Sequence, residues 1–259
     1  EALAAAARAL REYNPGFSKE CLDAAVKLYE ERLQLDAAGG GRGQRGGFGG
    51  GMGGGMNAAL QLYLATGEAG YRERFESLLW PSVERGGGLS AALQAIPYLD
   101  DDFRERVRPH MANFVEQLKA VERENPYGVP FGGRGWGGNG RVVSWALTNY
   151  YAARAFPDLV GPEYAARGLN YLFGCHPYSN LSFVSAVGAA SKRVAYGNNR
   201  ADFSFIAGGI VPGLLVLQPD FFENKEDWPF FWGENEYVVD LGASYIHLAL
   251  AVNHLLSQE

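Results

Sequence analysis

Between Asp101 and Glu124 the apolar residues Phe103, Val107, Met111, Phe114, Leu118 and Val121 recur every three or four positions. Only a helix gathers such a series onto one side. The same period returns along much of the chain, and no alternation of period two is sustained, so the sequence is read as all-α. Helices are expected over residues 3–13, from Ser18 as N-cap to about Leu35, and over 56–66, 71–83, 89–99, 101–124, 142–156, 163–173 and 236–257. Pro109 should interrupt the helix it falls in, because it lacks an amide proton and its ring crowds the preceding turn. Gly67 is a natural stop for the helix before it.

Between the helices lie three irregular stretches. In residues 39–55, 12 of 17 positions are glycine, a composition too permissive for helix or strand and read as a loop. Residues 125–140 are also rich in glycine, and residues 177–230 carry nine aromatic residues without a long helical period. Helical hairpins with long loops gathered at one end suggest an α/α toroid, in which loops bear the site and helices hold it rigid. No fixed repeat marks a solenoid.

Several function classes are disfavoured. A net charge of -6 with no large basic patch argues against nucleic acid as the main partner. No run of apolar residues is long enough to span a membrane. The chain opens on Glu1-Ala2-Leu3-Ala4 in a helical pattern, and no signal peptide is expected in it. Cys21 and Cys175 stand alone and are read as two free buried thiols. The two G-x-G-x-x-G matches, at 41–46 and 133–138, follow no strand and so lack the setting in which such glycines cradle a phosphate. His110, His176, His247 and His254 show no zinc-binding spacing. The Asn180-Leu181-Ser182 sequon is short enough to arise by chance.

The last third carries the chemistry. Trp228-Pro-Phe-Phe-Trp232-Gly-Glu234-Asn-Glu236-Tyr237 places two carboxylates among aromatic residues at the mouth of the final helix. An apolar aromatic neighbourhood favours the protonated form of a carboxyl, which is what a general acid needs. Acidic residues also simply favour a helix N-terminus, and that reading is equally open for the pair. It is the preferred one for Asp100-Asp101-Asp102.

At this point the residues resemble a known family. Asn235-Glu236-Tyr-Val-Val-Asp240-Leu-Gly-Ala243 is similar to the Asn-Glu-x-x-x-Asp-x-x-Ala signature that ends glycoside hydrolase family 9 domains of the cellulase type. Leu169-Asn-Tyr-Leu-Phe-Gly174-Cys-His-Pro177 with Ser182-Phe-Val-Ser185-Ala-Val-Gly188 resembles that family's helix end and following loop. Trp136-Gly-Gly-Asn139 resembles its helix entry, and Asn198-Asn199-Arg200 stands where its His-His-Arg motif would be. Tyr13-Asn-Pro-Gly-Phe17 and Cys21-Leu-Asp-Ala-Ala25 look like the middle of such a domain, and the Gly208-Gly209 and Pro219-Asp220 turns follow at suitable distances.

The resemblance implies an (α/α)6 toroid, a secreted or periplasmic protein, and inverting hydrolysis of a β-glycosidic bond in a glucan or related saccharide. It implies that residues 1–259 are the carboxyl-terminal part of one catalytic domain, with 39–55 a loop within it. Glu236 would be the general acid, with Glu234 as fallback. Trp136, Tyr196, Asn199, Arg200 and Asp240 would contact the sugar, Asp240 one turn beyond Glu236 on the same helix face. No metal ligand is assigned, no cofactor is required, and a structural calcium is left open. Two departures stand out. The His-His pair is Asn198-Asn199, and the family's Asp-Ala-Gly-Asp motif, whose aspartate activates water, does not occur in this sequence. About nine helices are expected where six hairpins need twelve. The catalytic base is therefore expected from the remaining part of the domain, on an absent segment or a second chain. The alternative is a carbohydrate-binding or structural protein that keeps the fold without hydrolysis.

Overall fold

A computed structural model of the chain describes residues 1–37, 53–130, 137–175, 180–192, 205–214 and 232–257. It forms two compact units, Glu1–Val107 and Arg108–Glu259. Helices α1 (Ala2–Leu10), α2 (Pro15–Ala37), α3 (Gly53–Thr66), α4 (Ala69–Glu84), α5 (Leu89–Ala95) and α6 (Asp101–Val107) build the first. The second holds α7 (Met111–Glu124), α8 (Asn139–Ala155), α9 (Glu163–Leu172), the two-residue strands β1 (Leu181–Ser182) and β2 (Ala190–Ser191), then α10 (Trp232–Asn235) and α11 (Val239–Leu256). The all-α expectation holds: among the described residues the sheet is confined to the parallel β1–β2 pair.

In the first unit, α1 packs on α2 and α3, and α3 packs on α4. The buried side of α2 is Ser18, Cys21, Ala25 and Tyr29, spaced by three and four so that they share one face. Its start corrects the sequence reading. Asn14 is the cap, its Oδ1 accepting the Phe17 amide at 3.1 Å, and Pro15 opens the helix, where its missing amide costs nothing and its fixed φ is already helical. Ser18 lies inside the helix and donates its hydroxyl to the Ala7 carbonyl at 2.6 Å, tying α2 to α1. Residues 39–52 of the expected glycine loop lie outside the described residues, while Gly53, Gly54 and Gly55 belong to α3 rather than to a loop. Gly67 does stop α3, its amide donating to the Tyr63 carbonyl at 2.7 Å.

The helix expected over 101–124 is broken at Arg108–His110, a single 3-10 turn around Pro109, as the proline requires. The boundary between the units falls at that break. Asp100 caps α6, accepting the Phe103 amide at 3.0 Å, so the aspartate run is helix-start chemistry as expected.

In the second unit α8 packs on α9, and α11 packs on both. Val142, Ala146, Tyr150, Ala165, Leu169, Leu172, Leu248, Ala251 and Val252 form the shared core. Each large apolar side chain buried there contributes about 1.5–3 kcal/mol. Tyr171 is fully enclosed, its ring 5.6 Å from Tyr127 and 5.5 Å from Phe183. That burial pushes its phenol well above the usual range. Through Phe183 this core reaches the irregular segments that carry the candidate site. No helix among the described residues is long and apolar enough to cross a membrane.

Candidate active site

Glu236 lies in the second unit, in the short connection between α10 and α11. This corrects the expectation that it opens the last helix. The helix begins at Val239, so Asp240 is not one turn beyond Glu236 on a common face. Asp240 is exposed in the first turn of α11, where its Oδ1 accepts the Leu241 amide at 2.9 Å. Placed there it satisfies a helix amide and complements the helix dipole.

A segment without helical hydrogen bonds needs other partners for its backbone. Here they come from distant parts of the sequence. The Gly213 amide donates to the Glu234 carbonyl at 3.1 Å. The residues around Gly213 are held in turn by the start of α8: the Asn139 amide donates to Pro212 at 2.8 Å, the Gly138 amide to Leu214 at 3.0 Å, and the Gly137 amide to Gly233. The buried Asn139 side chain adds a bond from Nδ2 to the Val211 carbonyl at 2.8 Å. Gly213 has φ +91°, and a Cβ there would stand 2.5 Å from the Asn139 side chain. Both the left-handed backbone and the close approach demand glycine. Gly137, Gly138 and Asn139 thus mark a three-way backbone junction.

A second set of bonds supports the other side of Glu236. Residues 183–185 run antiparallel to 208–211: the Val211 amide donates to Phe183 at 3.1 Å, the Ser185 amide to Gly209 at 2.9 Å, and the Gly208 amide to Ser185 at 2.8 Å. The side chain of Tyr237 reaches this ladder. Its hydroxyl lies 2.8 Å from Ser185 Oγ and accepts the Ile206 amide at 3.0 Å. Tyr237, Ser185 and Gly209 were not singled out as site residues from the sequence. Their signal was present, since Tyr237 adjoins Glu236 and the other two lie in quoted motifs, but only the fold joins them.

Glu234, Asn235 and Glu236 are all buried. Among the described residues the Glu236 carboxylate forms no hydrogen bond or ion pair. No arginine among the described residues pairs with it. Trp136, Tyr196, Asn199 and Arg200 lie outside the described residues, as do Asn198, Trp228 and the Trp232 side chain. The expected aromatic groove falls on them. Among the described residues no cluster of His, Cys, Asp and Glu could hold a metal ion; both cysteines are free thiols, Cys21 buried as expected but Cys175 exposed, just past the end of α9.

The first unit has a surface cavity of about 690 Å³ lined by Arg72, Glu76, Trp80 and Arg106. The Trp80 ring is covered by the Arg106 guanidinium at 3.8 Å and by Phe103 at 5.2 Å. Trp80 is buried between them, which leaves no open aromatic face on which a sugar could stack.

Comparison with known proteins decides the family. Residues 1–248 match glycosyl hydrolase family 9, a match that runs through both units. The chain belongs to glycosyl hydrolase family 9. Solved structures of the family share its fold. A family 9 protein of Bacteroides ovatus is 21% identical, covering 98% of this chain and 52% of that one with a TM-score of 0.67. An endoglucanase of the termite Nasutitermes takasagoensis is 18% identical, covering 99% and 64% with a TM-score of 0.68. The cellulase Cel9M of C. cellulolyticum, in complex with cellobiose, is 16% identical, covering 100% and 63% with a TM-score of 0.66. The all-α fold class of the family 9 (α/α)6 toroid is therefore that of this chain, and the chain spans between about half and two thirds of the length of these relatives. No curated protein sequence matches it significantly.

Proposed function

We propose that this family 9 chain is part of an inverting glycoside hydrolase that cleaves β-glycosidic bonds in a glucan or related saccharide, with Glu236 as proton donor. The observation that carries the reading is the setting of Glu236. It sits in a connection braced by backbone bonds from distant segments, and its carboxyl is engaged by no described cation or donor. A general acid needs both a fixed position and a free oxygen to present to the substrate.

In this mechanism the protonated Glu236 gives its proton to the glycosidic oxygen as the bond from that oxygen to the anomeric carbon breaks. A water molecule attacks the anomeric carbon from the opposite face and loses its proton to a carboxylate. The two carboxyl groups stand about 6.5–9.5 Å apart in such enzymes, which leaves room for the water. That base comes from the remaining part of the domain, in the same polypeptide or on a second chain. The reading is supported by the length of this chain against its relatives and by a stripe on α11, where Val239, Ile246 and Leu250 are 86%, 60% and 65% exposed. An apolar stripe of that kind on a helix otherwise packed in a core is the surface such a remainder would cover. Trp136, Tyr196, Asn199 and Arg200 contact the sugar in this proposal, Arg200 donating to its hydroxyls. No cofactor takes part, and the protein acts outside the cytoplasm, where its polymeric substrates lie.

Asn198-Asn199 in place of the family's His-His pair favours one second reading, a carbohydrate-binding protein that no longer hydrolyses. One experiment separates the two. In the intact enzyme, Glu236→Gln should lower kcat on an unactivated β-glucan oligosaccharide by about 10²–10⁴-fold while leaving oligosaccharide binding near normal. Undiminished turnover removes Glu236 from the acid role. Saccharide binding by the wild type without release of reducing ends establishes the binding protein.

A further inference from the structure

We propose that Tyr237 is a positioning residue for the proton donor, and that its phenol, clamped between Ser185 and the Ile206 amide, sets the direction in which the Glu236 carboxyl points. The inference rests on the reading of Glu236 as the general acid. Glu236 occupies a connection between a one-turn helix ending at Asn235 and a helix starting at Val239. Upstream, the Glu234 carbonyl is held by the Gly213 amide. Downstream, the nearest described anchor is the Tyr237 side chain, one residue from the carboxyl it would steer.

The clamp holds the phenol from two sides. Ser185 Oγ donates to the Lys192 carbonyl at 3.2 Å. It is then free to accept from the Tyr237 hydroxyl at 2.8 Å, while that hydroxyl accepts the Ile206 amide at 3.0 Å. Whichever hydroxyl donates, the phenol keeps a partner on each side, Ser185 Oγ at 2.8 Å and the Ile206 backbone, whose amide lies at 3.0 Å and whose carbonyl at 3.5 Å. A tyrosine side chain has two torsions, and tethering its far end fixes both. The ring also leaves no room beside it. A Cβ on Gly209 would come within 2.5 Å of the Tyr237 ring, and Gly209 belongs to the ladder that holds Ser185. The elements that fix the phenol therefore fix the peptide that bears Glu236.

The test uses Tyr237→Phe in the intact enzyme, with two substrates. One is an unactivated oligosaccharide, whose leaving alkoxide needs a proton. The other is a dinitrophenyl β-glycoside, whose leaving group departs without one. Loss of the clamp should lower kcat on the oligosaccharide by about 10–100-fold with KM within about two-fold, the scale of effect produced by a misplaced catalytic group. The dinitrophenyl glycoside should be turned over at close to the wild-type rate. Ser185→Ala should reproduce this split, and Ser185→Thr, which keeps the hydroxyl, should restore activity on the oligosaccharide. Melting temperature should fall by no more than about 4–8 °C, as expected for the loss of the two hydrogen bonds that the hydroxyl makes.

Equal loss on both substrates would show a merely structural role and overturn the proposal, as would a Phe variant indistinguishable from wild type. Glu236→Gln on the same pair separates this failure from that of the underlying reading. If Glu236→Gln shows the leaving-group split and Tyr237→Phe does not, only the positioning role is wrong. If Glu236→Gln shows no split, or the wild type turns over neither substrate, the general-acid assignment falls and the positioning role falls with it.

Discussion

The start of α2 and the connection before α11 solve the same problem in opposite ways. Both must leave backbone groups outside a helix and satisfy them. At α2 the answer is local: Asn14 caps the helix three residues on, and Pro15 begins it. Before α11 the answer is remote. The Glu234 carbonyl accepts the Gly213 amide, and the segment around Gly213 is held by residues 137–139 of another element. A helix end can be remodelled by substitutions nearby, whereas the Glu236 connection depends on several distant segments being right together.

This contrast can be broken most severely at Gly213. Gly213→Ala forces a side chain into a left-handed backbone and into the Asn139 amide. It should cost about 2–4 kcal/mol in chemical denaturation and should lower activity beyond the loss of folded protein. A variant of wild-type stability would show that the junction gives way easily. At the local end, Asn14→Ala removes one cap and should cost about 1 kcal/mol, with activity per folded molecule unchanged.

The smallest effect is expected at Asp100. The Arg72 guanidinium, with the Phe103 amide, holds its carboxyl below the usual value of 3.8. A carboxyl lowered on folding adds stability that is complete above the unfolded value and fades as pH falls through the folded one. Asp100→Asn keeps a capping oxygen but no charge. Wild type should exceed it in stability above about pH 4, and the two should converge in more acidic solution. Parallel acid-denaturation curves would remove the ion pair from the account.

The same contrast explains what could be read from the residues alone. Helices announced by their own period, such as α7 and α8, were legible, as were the Pro109 break and the Gly67 stop, because each is decided within a few residues. The start of α2 was placed too late, at Ser18, because the Asn-Pro-Gly composition that ends one helix can also begin the next. Glu236 was legible through its motif, but its place before the helix was not. The helix start is moved to Val239 by partners some twenty to a hundred positions away, which no local pattern records. Tyr237 went unnoticed for the same reason, since its partners Ser185 and Ile206 are remote in sequence.

The junction that joins residues 137–139, 211–214 and 233–234 has a consequence for how the molecule is made. Closing long stretches of chain costs entropy that helical hairpins do not incur, so contacts between neighbours are gained early and those between distant segments late. The seat of Glu236 is therefore among the last features to assemble. On the proposed role of Glu236, a half-folded chain would hold its helices yet carry no aligned acid, and hydrolysis would report on completion of the second unit and not on helix content.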